Sequence, residues 1–166
     1  RNTFESLIGD SPAFRETLAR ARQFSRSSVS VLVEGETGTG KELFVQGIHN
    51  ESPCAGGPFV AINCAALPES LLESELFGYE GGAFTGARKG GKPGLFEMAH
   101  NGTIFLDEIS EISRSIQARM LRVLQEREIL RIGGDRVINV NIRVVTATNK
   151  NLYRQVLDGD FRQDLY

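Results

Sequence analysis

The sequence predicts an α/β fold: a parallel sheet flanked by helices, with a β-hairpin inserted late in the chain. Three observations predict it. Short apolar runs of strand length alternate with segments whose apolar residues recur every three or four positions. Lys41, Asn63, Asp107, Glu108 and Asn149, the residues with chemical potential, fall where strands end or the next helix begins. Composition is that of an ordinary globular domain: 166 residues, 40% hydrophobic and 24% charged, enough for one core.

The elements follow in order. Arg1–Gly9 reads as an extended lead-in. Asp10 or Ser11 can cap a helix with Pro12 in its first turn, and Phe14, Leu18 and Ala21 give it an apolar face. Val29–Val33 is the first strand, and Lys41–Asn50 the helix after it, packing through Leu43, Phe44, Val45 and Ile48. Glu51–Pro58 is a loop with two prolines and two glycines. Phe59–Asn63 is the second strand, and Glu69–Phe77 a helix carrying Leu71, Leu72 and Leu76. Gly78–Gly94 is a glycine-rich insertion too long for an idle connection.

Thr103–Leu106 is a third strand running into Asp107 and Glu108. Arg114–Arg127 is an amphipathic helix with Ile116, Met120, Val123 and Leu124 inward. Glu128–Ile132 and Arg136–Val140 flank Gly133-Gly134 as a hairpin. Arg143–Thr148 is a fourth strand, and Leu152–Leu157 a short helix that Asn151 can cap. Ligands of such sheets sit outside the carboxyl ends of the strands, so four separate pieces of sequence converge on one crevice.

Charge and cysteine usage exclude several classes. The net charge of −2 points to neither nucleic acid nor an anionic membrane. No apolar run is long enough to cross a bilayer, and Arg1–Asp10 carries no signal-peptide pattern. Cys54 and Cys64 make neither a disulfide framework nor a metal site, and read as reduced, cytoplasmic thiols. His49 and His100 have no partners at ligand spacing.

The most informative stretch is Val29–Glu42, a strand, a loop with Gly35, Gly38 and Gly40, and Lys41 at the start of a helix. That context lets backbone N–H groups close around an anion, with the helix dipole aimed at it and Lys41 reaching the outer phosphates of a nucleotide. A glycine-rich hairpin with a solvated lysine lacks the flanking strand and helix. The general pattern places Ser or Thr after the lysine, where its hydroxyl meets magnesium; here Glu42 stands there. Acids elsewhere are therefore sought for the metal.

Asp107 and Glu108 end an apolar strand. Asp107 is the candidate to hold a nucleotide-borne Mg2+, and Glu108 to orient and deprotonate the attacking water. The competing reading is a solvated acidic strand end or a helix cap. Asn149 can hydrogen-bond the γ-phosphate or the water, although an Asn after a strand is commonly a turn residue. Spacing alone does not separate Arg162 from any solvated arginine.

G-E-T-G-T-G-K-E, E-L-F-G-Y-E-G-G-A-F-T-G-A, T-I-F-L-D-E, R-I-G-G and F-R-Q-D-L-Y occur together in this order. The chain resembles the central AAA+ ATPase domain of sigma-54-dependent transcriptional activators, the bacterial enhancer-binding proteins, over Phe4 to Tyr166. Gly82-Ala83-Phe84-Thr85-Gly86-Ala87 matches the family's most specific loop at every position.

The resemblance implies a P-loop NTPase core with ATP and Mg2+. Gly35, Glu36, Thr37, Gly38, Thr39, Gly40, Lys41 and Glu42 would be the phosphate loop, with Glu42 usual there. Asp107 would hold magnesium and Glu108 activate water. Asn63 would be the switch that restrains Glu108. Thr148 and Asn149 fall at the sensor I position. Arg162 would be an arginine finger acting on the next subunit of a ring, usually a hexamer. The Phe84-Thr85 loop would rise on ATP binding and contact the sigma-54 factor, with Arg131–Arg136 moving alongside. Hydrolysis would then remodel the closed RNA polymerase holoenzyme–promoter complex into an open one. Physically, glycines flanking Phe84 and Thr85 make a hinged loop with one aromatic anchor.

The family pattern continues with a last core strand, a helical lid and a DNA-binding domain, and these are absent from residues 1–166. The expectation is one truncated domain, open at its first strand, with weak ATPase activity when isolated. Two other readings compete with the mechanoenzyme. One is a nucleotide-dependent regulatory module without turnover. The other is an AAA+ protease or chaperone subunit, which lacks the G-A-F-T-G-A loop.

Overall fold

The computed structural model describes residues 31–34, 45–47, 49–50, 55–148 and 152–159. Its centre is a four-stranded parallel sheet of β1 (Val31–Glu34), β2 (Phe59–Asn63), β5 (Thr103–Asp107) and β8 (Arg143–Thr148), in the order β1-β8-β5-β2. The two central strands, T-I-F-L-D and R-V-V-T-A-T, are buried along almost their whole length. Near-continuous apolar sequence is what a strand covered on both faces requires. β2 lies at the sheet margin among the described residues, and its Ala61 and Asn63 are exposed.

Helices cover the sheet. Residues 45–47 and 49–50 are helical, and buried His49 binds Thr103 of β5 through Nδ1 at 2.7 Å. Helix α1 (Glu69–Phe77) buries Leu72, Leu76 and Phe77. Leu71 is instead 45% exposed, because one helical step rotates it away from the Leu72–Leu76 stripe. Helix α3 (Arg114–Glu126) is capped by Ser113, whose Oγ accepts the Ile116 N–H. It buries Ile116, Met120 and Val123, with Gln117 in the interior donating to the Ile112 carbonyl. Leu124 packs only partly against the core. Helix α4 (Leu152–Leu157) follows β8.

Two small antiparallel ladders complete the fold. β3 (Gly78–Tyr79) pairs with β4 (Lys92–Pro93), so the glycine-rich insertion closes at its base. The short helix α2 (Leu95–Met98) follows directly and buries Phe96 against Phe77, ring centroids 5.4 Å apart. β6 (Glu128–Ile129) pairs with β7 (Ile138–Asn139), the expected hairpin with shorter strands than its sequence suggests. The first expected helix, over residues 12–24, lies outside the described residues.

Candidate functional site

Register aligns the carboxyl ends of the four strands. Asn63 pairs with Asp107, Leu106 with Thr146, and Thr148 with Glu34. Glu34, which precedes Gly35 in the sequence, is thus paired with the last residue of β8.

The chain turns sharply after β5. Glu108 lies in the left-handed region, φ 54° and ψ 52°, and leads into a 3₁₀ turn at Ile109–Glu111. A non-glycine residue held there costs about 1–3 kcal/mol, and such strain gathers at functional sites. The turn is secured by Asp107 Oδ1, which accepts the Glu108 N–H at 2.9 Å, and by Glu108 O, which accepts the Glu111 N–H at 3.1 Å. The Glu108 side chain is only 7% exposed, and its Oε1 has no hydrogen-bond partner among the described residues. A buried carboxylate oxygen without a donor is expensive.

Neighbouring groups sharpen this picture. Asn63 Oδ1 accepts the Ala65 N–H at 2.9 Å, so the side chain closes its own turn at the exposed end of β2. Buried Cys64 sits beside both acids, its N–H bonded to Asp107 O at 2.9 Å. Burial, and then the charges of Asp107 and Glu108, push its thiol pKa from 9.0 up to about 12. Nothing in the sequence pattern distinguishes Cys64 from any other core cysteine.

The Gly82–Ala87 loop stands on a different support. Phe84 is 44% exposed and meets Tyr79 edge-on, centroids 4.9 Å apart. With Leu71, Ser74 and Ile132 it borders a shallow, mainly apolar cavity of about 400 Å³. The R-I-G-G segment is locked beneath the loop. Ile132 N–H bonds Gly78 O at 2.9 Å, and Glu80 N–H bonds Ile132 O at 3.0 Å. Gly133, at φ +75°, lies so close that a Cβ there would be 2.8 Å from Ala83 Cβ. Arg131 forks onto both Glu97 oxygens at 2.9 and 3.0 Å, and reaches Glu80 at 3.8 Å. The two loops thus share one foundation.

The comparisons with known proteins agree with this architecture. A family model described as the Sigma-54 interaction domain matches residues 7–166. The chain belongs to the sigma-54 interaction domain family. Its fold is that of a P-loop NTPase core. The chain is 58% identical over 160 residues to a Nif-specific regulatory protein of Azorhizobium caulinodans, covering 96% of this chain and 26% of that protein. It superposes on NtrX from Brucella abortus in complex with ATP with a TM-score of 0.85 and 34% identity, covering 96% of this chain and 34% of that one. It shares its fold with the P-loop NTPase domain of an Escherichia coli sigma-54 activator, TM-score 0.65 at 18% identity, covering 96% of this chain and 90% of that one. The chain spans about a quarter of the curated relatives it matches.

In this sigma-54 interaction domain the structure brings Asn63, Asp107, Glu108 and Thr148 to one edge. Gly35, Glu36, Thr37, Gly38, Thr39, Gly40, Lys41, Glu42, Asn149 and Arg162 lie outside the described residues. Gly82–Ala87 form a largely exposed succession of turns and bends. Sequence reasoning missed the Tyr79 platform and the Arg131 fork. The only hint of either was that Tyr79 and Arg131 stand inside the recognised loop motifs. Among the described residues no helix is long and apolar enough to cross a membrane.

Proposed function

We propose that this domain hydrolyses ATP at the carboxyl edge of its sheet and uses the cycle to reposition the Phe84-Thr85 loop against the sigma-54 factor, opening the closed polymerase–promoter complex. One observation carries the reading: the buried, left-handed Glu108, whose Oε1 has no partner among the described residues. A carboxylate placed so, behind a strand end next to the predicted phosphate loop, is poised to accept a proton from water. Gly35–Glu42 would cradle the triphosphate, as the ATP complex of the Brucella NtrX supports.

Asp107 and Glu108 supply hard oxygen donors, and the unsatisfied Oε1 fits a site completed by a divalent cation and water. Mg2+ carried by the nucleotide would be held by Asp107 and would offset charge on the phosphates. Glu108 would orient the water and take its proton. Asn63, one strand over, would restrain Glu108 in the idle state, and Asn149 would position the γ-phosphate or the water. Arg162 of one subunit would complete the site of the next in a closed ring, usually of six. DNA would be held by a further domain of the whole protein.

The shared base of the Phe84 loop and the R-I-G-G segment supports the transmission half of the reading, since a shift in either must move both. The test uses the complete protein. Glu108→Gln should bind ATP and fail to hydrolyse it, and Thr85→Ala should lose sigma-54 binding. Unchanged behaviour in both variants sinks the proposal.

A further inference from the structure

We infer that Tyr79 is a positioning residue that holds the Phe84 tip against the body of the domain, so that a partner must first break an internal ring contact. The inference rests on the reading above of the Phe84 loop as the sigma-54 contact. The two rings meet edge-on, 4.9 Å between centroids and 69° between planes. In that geometry the positive edge of one ring meets the negative face of the other, which adds to the attraction from burial alone. The Tyr79 hydroxyl also accepts the Arg88 N–H at 3.4 Å, a long and weak bond just past the end of the loop. One side chain thus touches the loop at its tip and at its exit.

The two rings differ in what fixes them. Tyr79 is 8% exposed, pairs with Lys92 of β4 and is also bridged to Ile132. Gly78 beside it is packed so tightly that a Cβ there would lie 2.4 Å from Lys92 O and 2.5 Å from Gly94 N. Phe84 stands between Gly82 and Gly86, at φ +77° and +92°, where a Cβ would meet nothing within 4 Å. Tyr79 is therefore the anchored member of the pair and Phe84 the one able to leave. Phe84 also borders the cavity formed with Leu71 and Ile132 on the domain's own surface. A ring face engaged inside the domain is closed to a partner, so the two compete for one aromatic anchor. Apparent affinity falls in proportion to the fraction of molecules with the ring free, and Tyr79 sets that fraction.

The test titrates the complete protein with purified sigma-54 factor in the absence of nucleotide. Tyr79→Leu should raise the affinity about 2- to 10-fold, the share of binding that an edge-to-face ring pair can withhold. Its kcat and KM for ATP, measured without sigma factor, should be unchanged. A purely structural lesion would lower the affinity instead. Tyr79→Phe, which keeps the ring, should stay within about twofold of the parent, because the bond it loses is long. The Tyr79→Leu/Phe84→Ala double variant should bind as poorly as Phe84→Ala, since both changes act through one ring. Release is also read without a partner: brief chymotrypsin digestion should cut after Phe84 faster in Tyr79→Leu by the same factor, because cleavage tracks the open population. Tyr79→Val, whose branched side chain suits a strand, gives the same comparison if Tyr79→Leu folds poorly. Unchanged or lower affinity in the Tyr79 variant beside lost binding in Phe84→Ala overturns this inference alone, as does cleavage no faster than in the parent. Undiminished binding in Phe84→Ala overturns the partner reading of the loop, and this inference with it.

Discussion

Glu108 and Phe84 are both side chains kept away from their usual surroundings, an acid in the interior and an aromatic ring at the surface. They are kept there by different means. Glu108 is fixed by β5, whose neighbours on both sides are hydrogen-bonded in register and whose Ile104, Phe105 and Leu106 are almost fully buried. Among the described residues the Phe84 ring meets the Tyr79 ring, and the loop's backbone bonds run from Ala83 N–H to Glu80 O and from Ala87 N–H to Phe84 O. Gly82 and Gly86 on either side hold positive φ and have open space around them. An acid set in the sheet and an aromatic tip between two unhindered glycines are what the proposed cycle needs if a local chemical change is to be read out at a distance.

The sharpest way to break this comparison is at the acid. Glu108→Gln should reduce hydrolysis by about 10²–10⁴-fold while nucleotide affinity persists. Thermal stability should not fall, because a neutral amide replaces a buried carboxylate with an unsatisfied oxygen. Turnover within tenfold of wild type would remove Glu108 as the base. Next in size is a pair of truncations read by urea unfolding. Leu106→Ala should cost about 2–5 kcal/mol through a core cavity, whereas Phe84→Ala should stay within about 0.5 kcal/mol and lose sigma-54 binding. If both destabilise equally, the loop is part of the core and the contrast is false. A smaller effect is expected at Gly133→Ala, where positive φ and the 2.8 Å approach to Ala83 coincide. Strain of about 1–3 kcal/mol should be relieved by pushing the Phe84 loop away, weakening partner binding without changing ATP affinity.

The fixed half of the molecule was largely legible in the sequence, and the movable half much less so. Strand limits such as Phe59–Asn63 and Arg143–Thr148 followed from apolar runs bounded by polar residues, because burial on both faces writes a continuous pattern. The helix Glu69–Phe77 followed from its leucines, though Leu71 shows that an apolar residue in a helix need not face the core. The α2 turn was hidden because four residues are too few to show a period. The Asp107-Glu108 pair was visible as chemistry. Its left-handed turn was not, since nothing in T-I-F-L-D-E announces a positive φ at a glutamate. The Arg131–Glu97 fork and the Arg114–Gly159 bond join residues 34 and 45 positions apart, beyond the reach of any local pattern.

Cys64 offers the smallest and most selective probe, because it belongs to the fixed half yet borders the acids. Its thiol is held up to about 12 by burial and by Asp107 and Glu108, against an ordinary 9.0. Below pH 9 the thiol is protonated in both folded and unfolded chains, and its contribution to stability is fully present. Between pH 9 and 12 the unfolded chain releases the proton first, so stability falls as pH rises through that window. Cys64→Ala should flatten this alkaline decline and leave the neutral-pH midpoint nearly unchanged. In a Cys54→Ala background, thiol reagents at pH 8 should modify Cys64 only at the rate of unfolding, since a protonated, buried thiol is inert. Rapid labelling in the native state would show that the end of β2 opens freely. In that case the acid edge would be no more rigid than the loop set against it.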